Sequence, residues 1–133
     1  MLAGSCLCGG VSYTVDAPLG PILHCHCESC RKAHGAAFSS LAGVPRDKFS
    51  WTSGEKLLGK FESSPGKFRI FCTRCGSQLI TDRPHQDKVN LRMGCLDTDV
   101  KNRAEMHIWR SDGASWYDPN DHIPEWPEAP PAR

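Results

Sequence analysis

The sequence predicts a mostly-β fold of short antiparallel strands organised around zinc sites. Three observations carry that prediction. Short runs alternate apolar and polar residues and are separated by turn residues, as in Val11-Ser12-Tyr13-Thr14-Val15 and Lys67-Phe68-Arg69-Ile70-Phe71. Seven of the eight cysteines fall into closely spaced motifs with metal-ligand spacing. The chain has 133 residues and 39% hydrophobic content, which suits one domain with a modest core that a bound metal would supplement.

In chain order, Ser5-Cys6-Leu7-Cys8-Gly9-Gly10 opens the domain, and its glycines permit a tight turn before the strand at 11–15. Asp16-Ala17-Pro18-Leu19-Gly20-Pro21 is a loop. The stretch His24-Cys25-His26-Cys27-Glu28-Ser29-Cys30 follows, and 29–34 fits one short helical turn ended by Gly35. Weaker strands are expected at 38–44 and 49–52, with Pro45-Arg46-Asp47 between them. Ser53-Gly54-Glu55 turns the chain into a strand at 56–61. Ser63-Ser64-Pro65-Gly66 has hairpin chemistry and leads into 67–71 and then Cys72-Thr73-Arg74-Cys75-Gly76. Further strands are expected at 78–81, 89–93 and 106–109. Residues 1–118 read as one zinc domain. From Pro119 the chain holds five of its ten prolines, so 119–133 is expected as a tail, either an extended strap or partly disordered.

Sixteen basic and fifteen acidic residues give a net charge of +1, which argues against a nucleic-acid partner. No apolar run approaches the roughly 20 residues of a membrane span. The start, MLAGSCLCGG, lacks a basic region followed by an apolar core, so no secretory signal is expected. A reducing cytoplasmic setting follows, where many cysteines indicate metal or catalysis rather than disulfides.

Cys72-x-x-Cys75-Gly76 has zinc-knuckle spacing: two sulfurs can face one ion at about 2.3 Å while the glycine relaxes the turn. Its natural partner is Cys6-x-Cys8-Gly9, giving a closed structural site of Cys6, Cys8, Cys72 and Cys75. The competing readings are a redox pair at Cys72 and Cys75, which lacks the strand–helix context such pairs start, and a knuckle completed from the middle motif, which orphans Cys6 and Cys8. Cys25, Cys27 and Cys30 then form a three-thiolate site, for two zinc ions per chain. Its fourth position goes either to an exogenous ligand, which makes the site catalytic, or to a histidine among His24, His26 and His34. Three thiolates weaken the Lewis acidity of zinc, so the chemistry that fits is holding a substrate thiol as thiolate and making or breaking a carbon–sulfur bond.

Taken together, Cys6-Leu7-Cys8-Gly9, Cys25-His26-Cys27-Glu28-Ser29-Cys30, Cys72-Thr73-Arg74-Cys75-Gly76, Gly94-Cys95-Leu96-Asp97 and His107-Ile108-Trp109 resemble the glutathione-dependent formaldehyde-activating enzyme family, also called the CENP-V/GFA domain family. The resemblance runs from about Gly4 to about Trp116. It implies an Mss4-like, β-rich fold, a structural zinc on the first and third motifs and a catalytic zinc on the middle one. It further implies a carbon–sulfur lyase acting on glutathione or another thiol adduct, as in the formation of S-hydroxymethylglutathione.

Glutathione carries two carboxylates, so Arg31 and Lys32 are candidates to bind one of them, Arg31 in bidentate fashion; the alternative is a solvated surface pair. Ser29 is either a donor to the zinc thiolates or a helix cap. Cys95, outside the motifs, reads as a buried small apolar residue or as a reactive thiol. The second option resembles the B-type methionine sulfoxide reductases, whose Arg-x-Cys-x-Asn surroundings are missing here. His107 reads as a hydrogen-bonded core histidine rather than a ligand, and the tryptophans as packing residues. A non-enzymatic binding or chaperone-like module on the same fold is the rival to the enzyme reading.

Overall fold

A computed structural model describes residues 1–131 of the chain; Ala132 and Arg133, the last two positions of the proline-rich tail, lie outside the described residues. The strands are β1 (Leu2–Ser5), β2 (Ser12–Val15), β3 (Ile22–Cys25), β4 (Ser39–Pro45), β5 (Phe49–Ser53), β6 (Leu58–Ser64), β7 (Lys67–Cys72), β8 (Gln78–Asp82), β9 (Lys88–Arg92) and β10 (Ala104–Ile108). One helix, α1 (Glu28–His34), lies between β3 and β4. No described helix is long and apolar enough to cross a membrane.

The strands form two sheets. The smaller has the order β1-β2-β5, the larger β10-β3-β4-β9-β8-β7-β6. Sequential neighbours pair antiparallel through short turns, such as Pro65-Gly66 between β6 and β7, where Gly66 takes the positive φ that the turn requires. β10 is different: it pairs parallel to β3, returning to the sheet edge only after the long 93–103 connection. β1 and β3 lie outside the strands expected from alternation. Leu2–Ser5 has little strand propensity and is held by β2 and by the 96–98 segment, whose Asp97 and Thr98 amides donate to the Ala3 carbonyl. The strand expected from residue 56 starts instead at Leu58, because Glu55–Leu57 wind into a 3-10 turn.

The main core fills the space between the sheets. Tyr13 and Val15, the buried members of the alternating β2 run, pack with Val11 against Val44, Ile70, Leu79, Ile80, Val89 and Leu91 of the larger sheet. Cys6 and Cys72 belong to the same cluster. A smaller core of Cys25, Cys30 and Ile108 sits at the other end, with Leu41, Trp109 and Trp126 against it.

The tail lies along the free edge of β10. The His107 amide donates to the Pro124 carbonyl, the Trp126 amide to the His107 carbonyl, and the Trp109 amide to the Glu128 carbonyl. A proline-rich segment suits this place: prolines donate nothing, so it covers the edge without offering a new one.

Gly54 joins β5 to the 3-10 turn at φ +80, and a Cβ there would stand 2.0 Å from the Gly10 carbonyl oxygen. Gly66 has φ +75 with open space around it. Gly66→Ala should cost about 1–2 kcal/mol from backbone strain alone. Gly54→Ala should cost clearly more in urea unfolding, since Gly10 and Val11 backbone must also shift. Equal losses would show that the chain relaxes freely at Gly54.

Candidate metal centres and the cleft beside them

Two groups of cysteine sulfurs converge. In the first, the Sγ atoms of Cys6, Cys8, Cys72 and Cys75 lie within 4.8 Å of one another, a set that could hold a metal ion. Each pair sits on a glycine-closed turn. The Gly9 amide donates to the Cys6 carbonyl with φ +76 at Gly9, and the Gly76 amide donates to the Cys72 carbonyl with φ +80 at Gly76. Those turn hydrogen bonds bring the two sulfurs of each pair to one side, and the glycines take the positive φ at which the chain leaves the turn. Donors surround the set: the Val11 amide reaches Cys6 Sγ at 3.2 Å, and Arg74 Nε reaches Cys8 Sγ at 3.2 Å. The Ser77 hydroxyl, 3.3 Å from Cys75 Sγ, also accepts from the Leu7 amide, so it ties one turn to the other. Ser77 draws the Cys75 thiol down to about 5, and the Gly10 amide, with Arg74, lowers Cys8. Both shifts favour thiolates, whereas burial pushes the Cys72 thiol up.

In the second group, the Sγ atoms of Cys25, Cys27 and Cys30 lie within 4.8 Å of one another. A strand-to-helix junction makes this possible. Cys25 ends β3, Cys27 is the N-cap of α1, and Cys30 lies one turn into the helix, where the Cys30 amide donates to Cys27 Sγ at 3.4 Å. The cap is therefore Cys27; Ser29 is exposed inside the helix. Gly35 ends α1 in the left-handed conformation at φ 57. Hydrogen bonds from Cys25 and Cys27 pull the Cys30 thiol strongly down, and the same sharing pushes Cys25 up.

Among the described residues, no histidine, aspartate or glutamate joins that group of three. The candidate histidines are engaged elsewhere or apart. His24 Nδ1 is 2.9 Å from Ser40 Oγ. His26 Nε2 is 2.7 Å from His107 Nδ1, and His107 Nε2 is 2.8 Å from Asp121 Oδ2; both rings are fully buried. One set of tautomers satisfies this chain: His107 Nε2–H donates to Asp121, and His26 Nε2–H donates to His107. His26 Nδ1 is then left to accept from Arg110 Nη1 at 3.4 Å. Burial, with Arg110 beside it, holds His26 down at about 4, so its ring is neutral at pH 7. His34 is also held down at about 4 by burial, and its Nε2 has no partner. The chain from Asp121 to His26 thus anchors the residue between Cys25 and Cys27 to the tail.

Two guanidinium groups lie beside Cys30, and alternation alone did not reveal them. Arg69 of β7 and Arg92 of β9 are each only 3% exposed. Arg69 Nη2 donates to Cys30 Sγ at 3.7 Å. Arg92 donates to Ser39 Oγ at 3.2 Å and to Thr81 Oγ1 at 2.5 Å, and burial lowers it to about 10. Among the described residues neither pairs with a carboxylate. Half-buried Lys67, its ammonium destabilised by burial, also feels Cys30 and Cys27.

Arg31 Nε donates to the Asp112 carbonyl at 3.1 Å. Lys32 forms an exposed pair with Glu28 at 3.2 Å. Cys95 is half-buried, donates to the Gln78 carbonyl at 3.3 Å, and is held in the thiol form by burial. All eight cysteines are free thiols.

Residues 1–112 match the profile of a family described as "Glutathione-dependent formaldehyde-activating enzyme". A Halomonas elongata protein named "Putative glutathione-dependent formaldehyde-activating enzyme" is 28% identical, over 95% of this chain and 94% of that protein. An uncharacterized lyase of Schizosaccharomyces pombe is 30% identical, over 57% of this chain and 53% of its own length. The match thus spans about half of the fission-yeast relative but nearly all of the Halomonas one. A crystal structure of a Rhodobacter sphaeroides protein superposes with a TM-score of 0.65, covering 92% of this chain and 98% of that one at 17% identity, which shows a shared fold.

Replacing Asp121 by alanine should leave the buried His107 Nε2–H without an acceptor, at a cost of about 1–3 kcal/mol. Urea unfolding should show that loss with an unchanged slope, and the His107 and Trp126 amides should exchange faster with solvent. Unchanged stability and exchange would mean that Asp121 contributes nothing to anchoring the tail.

Proposed function

Since the chain belongs to the glutathione-dependent formaldehyde-activating enzyme family, we propose that it is a zinc-dependent carbon–sulfur lyase-type enzyme acting on glutathione or another thiol adduct. The observation that carries this reading is the group of three sulfurs, Cys25, Cys27 and Cys30, with no fourth ligand from the described residues and two buried arginines beside it. An all-sulfur donor set suits zinc in both groups. Cys6, Cys8, Cys72 and Cys75 would hold a structural ion with a closed ligand set, and Cys25, Cys27 and Cys30 a reactive one. Bound at the second set, zinc would supply an electron-rich centre that keeps a substrate thiol deprotonated.

The protein's own residues have definable parts in this reading. The β3–α1 junction presents three sulfurs from one short segment, so local geometry brings them together. The His26–His107–Asp121 chain fixes the backbone between Cys25 and Cys27. Arg69, Arg92 and Lys67 place positive charge beside the thiolates and favour an anionic substrate. For a thiol adding to an aldehyde, the sulfur–carbon bond forms as the carbonyl π bond opens, and the carbonyl oxygen takes the proton the thiol gives up. A metal on seven of the eight cysteines suits a reducing compartment, and a cytoplasmic location is part of this reading.

Metal analysis of anaerobically purified protein should find two zinc ions per chain. Cys27→Ser should lose one of them and abolish turnover of glutathione with formaldehyde, followed by NMR, while its thermal unfolding stays near that of the parent. Cys72→Ser should lose the other and unfold far more readily. If Cys27→Ser unfolds as readily as Cys72→Ser, the division into a structural and a reactive site is wrong. Cys95→Ser should keep full activity; loss of turnover there would move the chemistry to Cys95.

A further inference from the structure

The two sheets end in the outer strands β1, β5, β6 and β10. The tail covers the edge of β10, and the 96–98 segment donates to β1. The exposed side chains of β5 are the short polar ones of Ser50, Thr52 and Ser53. β6 is different. Among the described residues nothing pairs with its outer edge, and its middle residue, Phe61, is 63% exposed. Phe61 stands at the rim of a cleft of about 460 Å³ between α1 and the β6–β7 hairpin, with Ala33 and Phe71 beside it. A phenyl ring on a free strand edge invites pairing with another chain.

The neighbours of Phe61 identify that chain. Side chains alternate along a strand, so Lys60 and Glu62 lie on the face opposite to Phe61. The register with β7 sets Lys60 opposite Ile70 and Glu62 opposite Phe68. The Lys60 ammonium sits over the Phe68 ring, 4.1 Å from its centre, and Glu62 Oε2 accepts from the Gly66 amide at 3.0 Å, so both charges are held at the strand edge. A lone edge lysine repels a second copy. A lysine and a glutamate two residues apart attract one, provided the copies run antiparallel. With a two-fold axis through Phe61, each Lys60 falls opposite Glu62 of the partner subunit, and Phe61 meets Phe61 of the partner subunit. Opposite charges facing across a strand pair attract, and like charges repel. A parallel copy in the same register would set Lys60 against Lys60 of the partner subunit. The bulge of β6 lies between Glu62 and Ser64, next to the hairpin turn, and leaves 58–62 regular for pairing.

We propose that β6 is a self-association edge: two copies pair their β6 strands antiparallel about Phe61 and join their larger sheets into one. The contact is isologous, because each copy offers the same residues to the other. One strand pair with a single aromatic contact is a small interface, so dissociation should fall on the order of micromolar.

Sedimentation equilibrium of the full chain, purified anaerobically, tests this from about 1 µM to about 1 mM. The unmodified protein should pass from monomer to dimer within that range. Lys60→Glu and Glu62→Lys each set like charges opposite one another twice, so each variant alone should dissociate roughly 10- to 100-fold more readily. Mixed in equal amounts, the two variants restore both opposite-charge pairs and should form a heterodimer about as tightly as the unmodified protein pairs with itself. Phe61→Ser keeps the Gly66 hydrogen bond and should also weaken the dimer by a similar factor. A protein that stays monomeric to the top of the range overturns the proposal. A dimer that neither the charge variants nor Phe61→Ser weakens overturns it too, since another face would then hold the two copies. Charge variants that fail to recover on mixing overturn the antiparallel register about Phe61.

Discussion

The two sheets meet at the corner where the sulfurs of Cys6, Cys8, Cys72 and Cys75 converge. Cys6 and Cys8 lie on the turn that feeds β2 of the smaller sheet, and Cys72 and Cys75 lie on the turn that joins β7 to β8 of the larger one. Holding these four sulfurs together fixes the two sheets at one corner, and the core of Tyr13, Val15, Ile70, Leu79 and Leu91 grows from there. In a chain of this size, hydrophobic burial leaves little margin over chain entropy. A metal bound at that corner would stabilise the native state directly, because the unfolded chain offers no such site. The Ser77 bridge and the Arg74 donor serve the same corner by holding both turns in position.

The other end of the molecule is built on a different principle. There a strand end, a helix cap and a first helical turn bring Cys25, Cys27 and Cys30 together within six residues. Local geometry makes the group, and distant elements hold it in place. β10 and the tail supply His107 and Asp121 from one side, and β7 and β9 supply Arg69 and Arg92 from the other. The parallel pairing of β10 with β3 is what brings His107 opposite His24 and within reach of His26. The tail then completes the edge, so its covering role and its link to the site come from the same residues.

How much of this could be read from the sequence follows from how local each feature is. The glycine-closed knuckles, the short helix ended by Gly35 and the Pro65-Gly66 hairpin each depend on a few adjacent residues, and alternation located β2 and β7. The pairing of His26 with His107 spans 81 positions and leaves no local trace. Alternation in Lys67-Phe68-Arg69-Ile70-Phe71 assigns Arg69 to a face of its strand, but it says nothing about whether another layer covers that face. Here α1 does, and a charge that would ordinarily meet solvent is buried instead. Cys27 takes the cap position expected of Ser29, because the helix begins at Glu28, two residues before a Ser29-capped helix would.

Charge separates the two sulfur groups more sharply than ligand count does. Four thiolates with a divalent ion carry a formal charge of about −2, and this group lies near the surface with Cys8 exposed and solvent-facing Arg74 as its neighbour. Three thiolates with the same ion carry about −1, yet they face Arg69, Arg92 and Lys67 in a largely buried setting. Buried positive charge without a counterion is costly, and a neutral fourth ligand would leave that imbalance in place. An anionic ligand reduces it. The electrostatics of the three-cysteine site therefore favour an anionic fourth ligand.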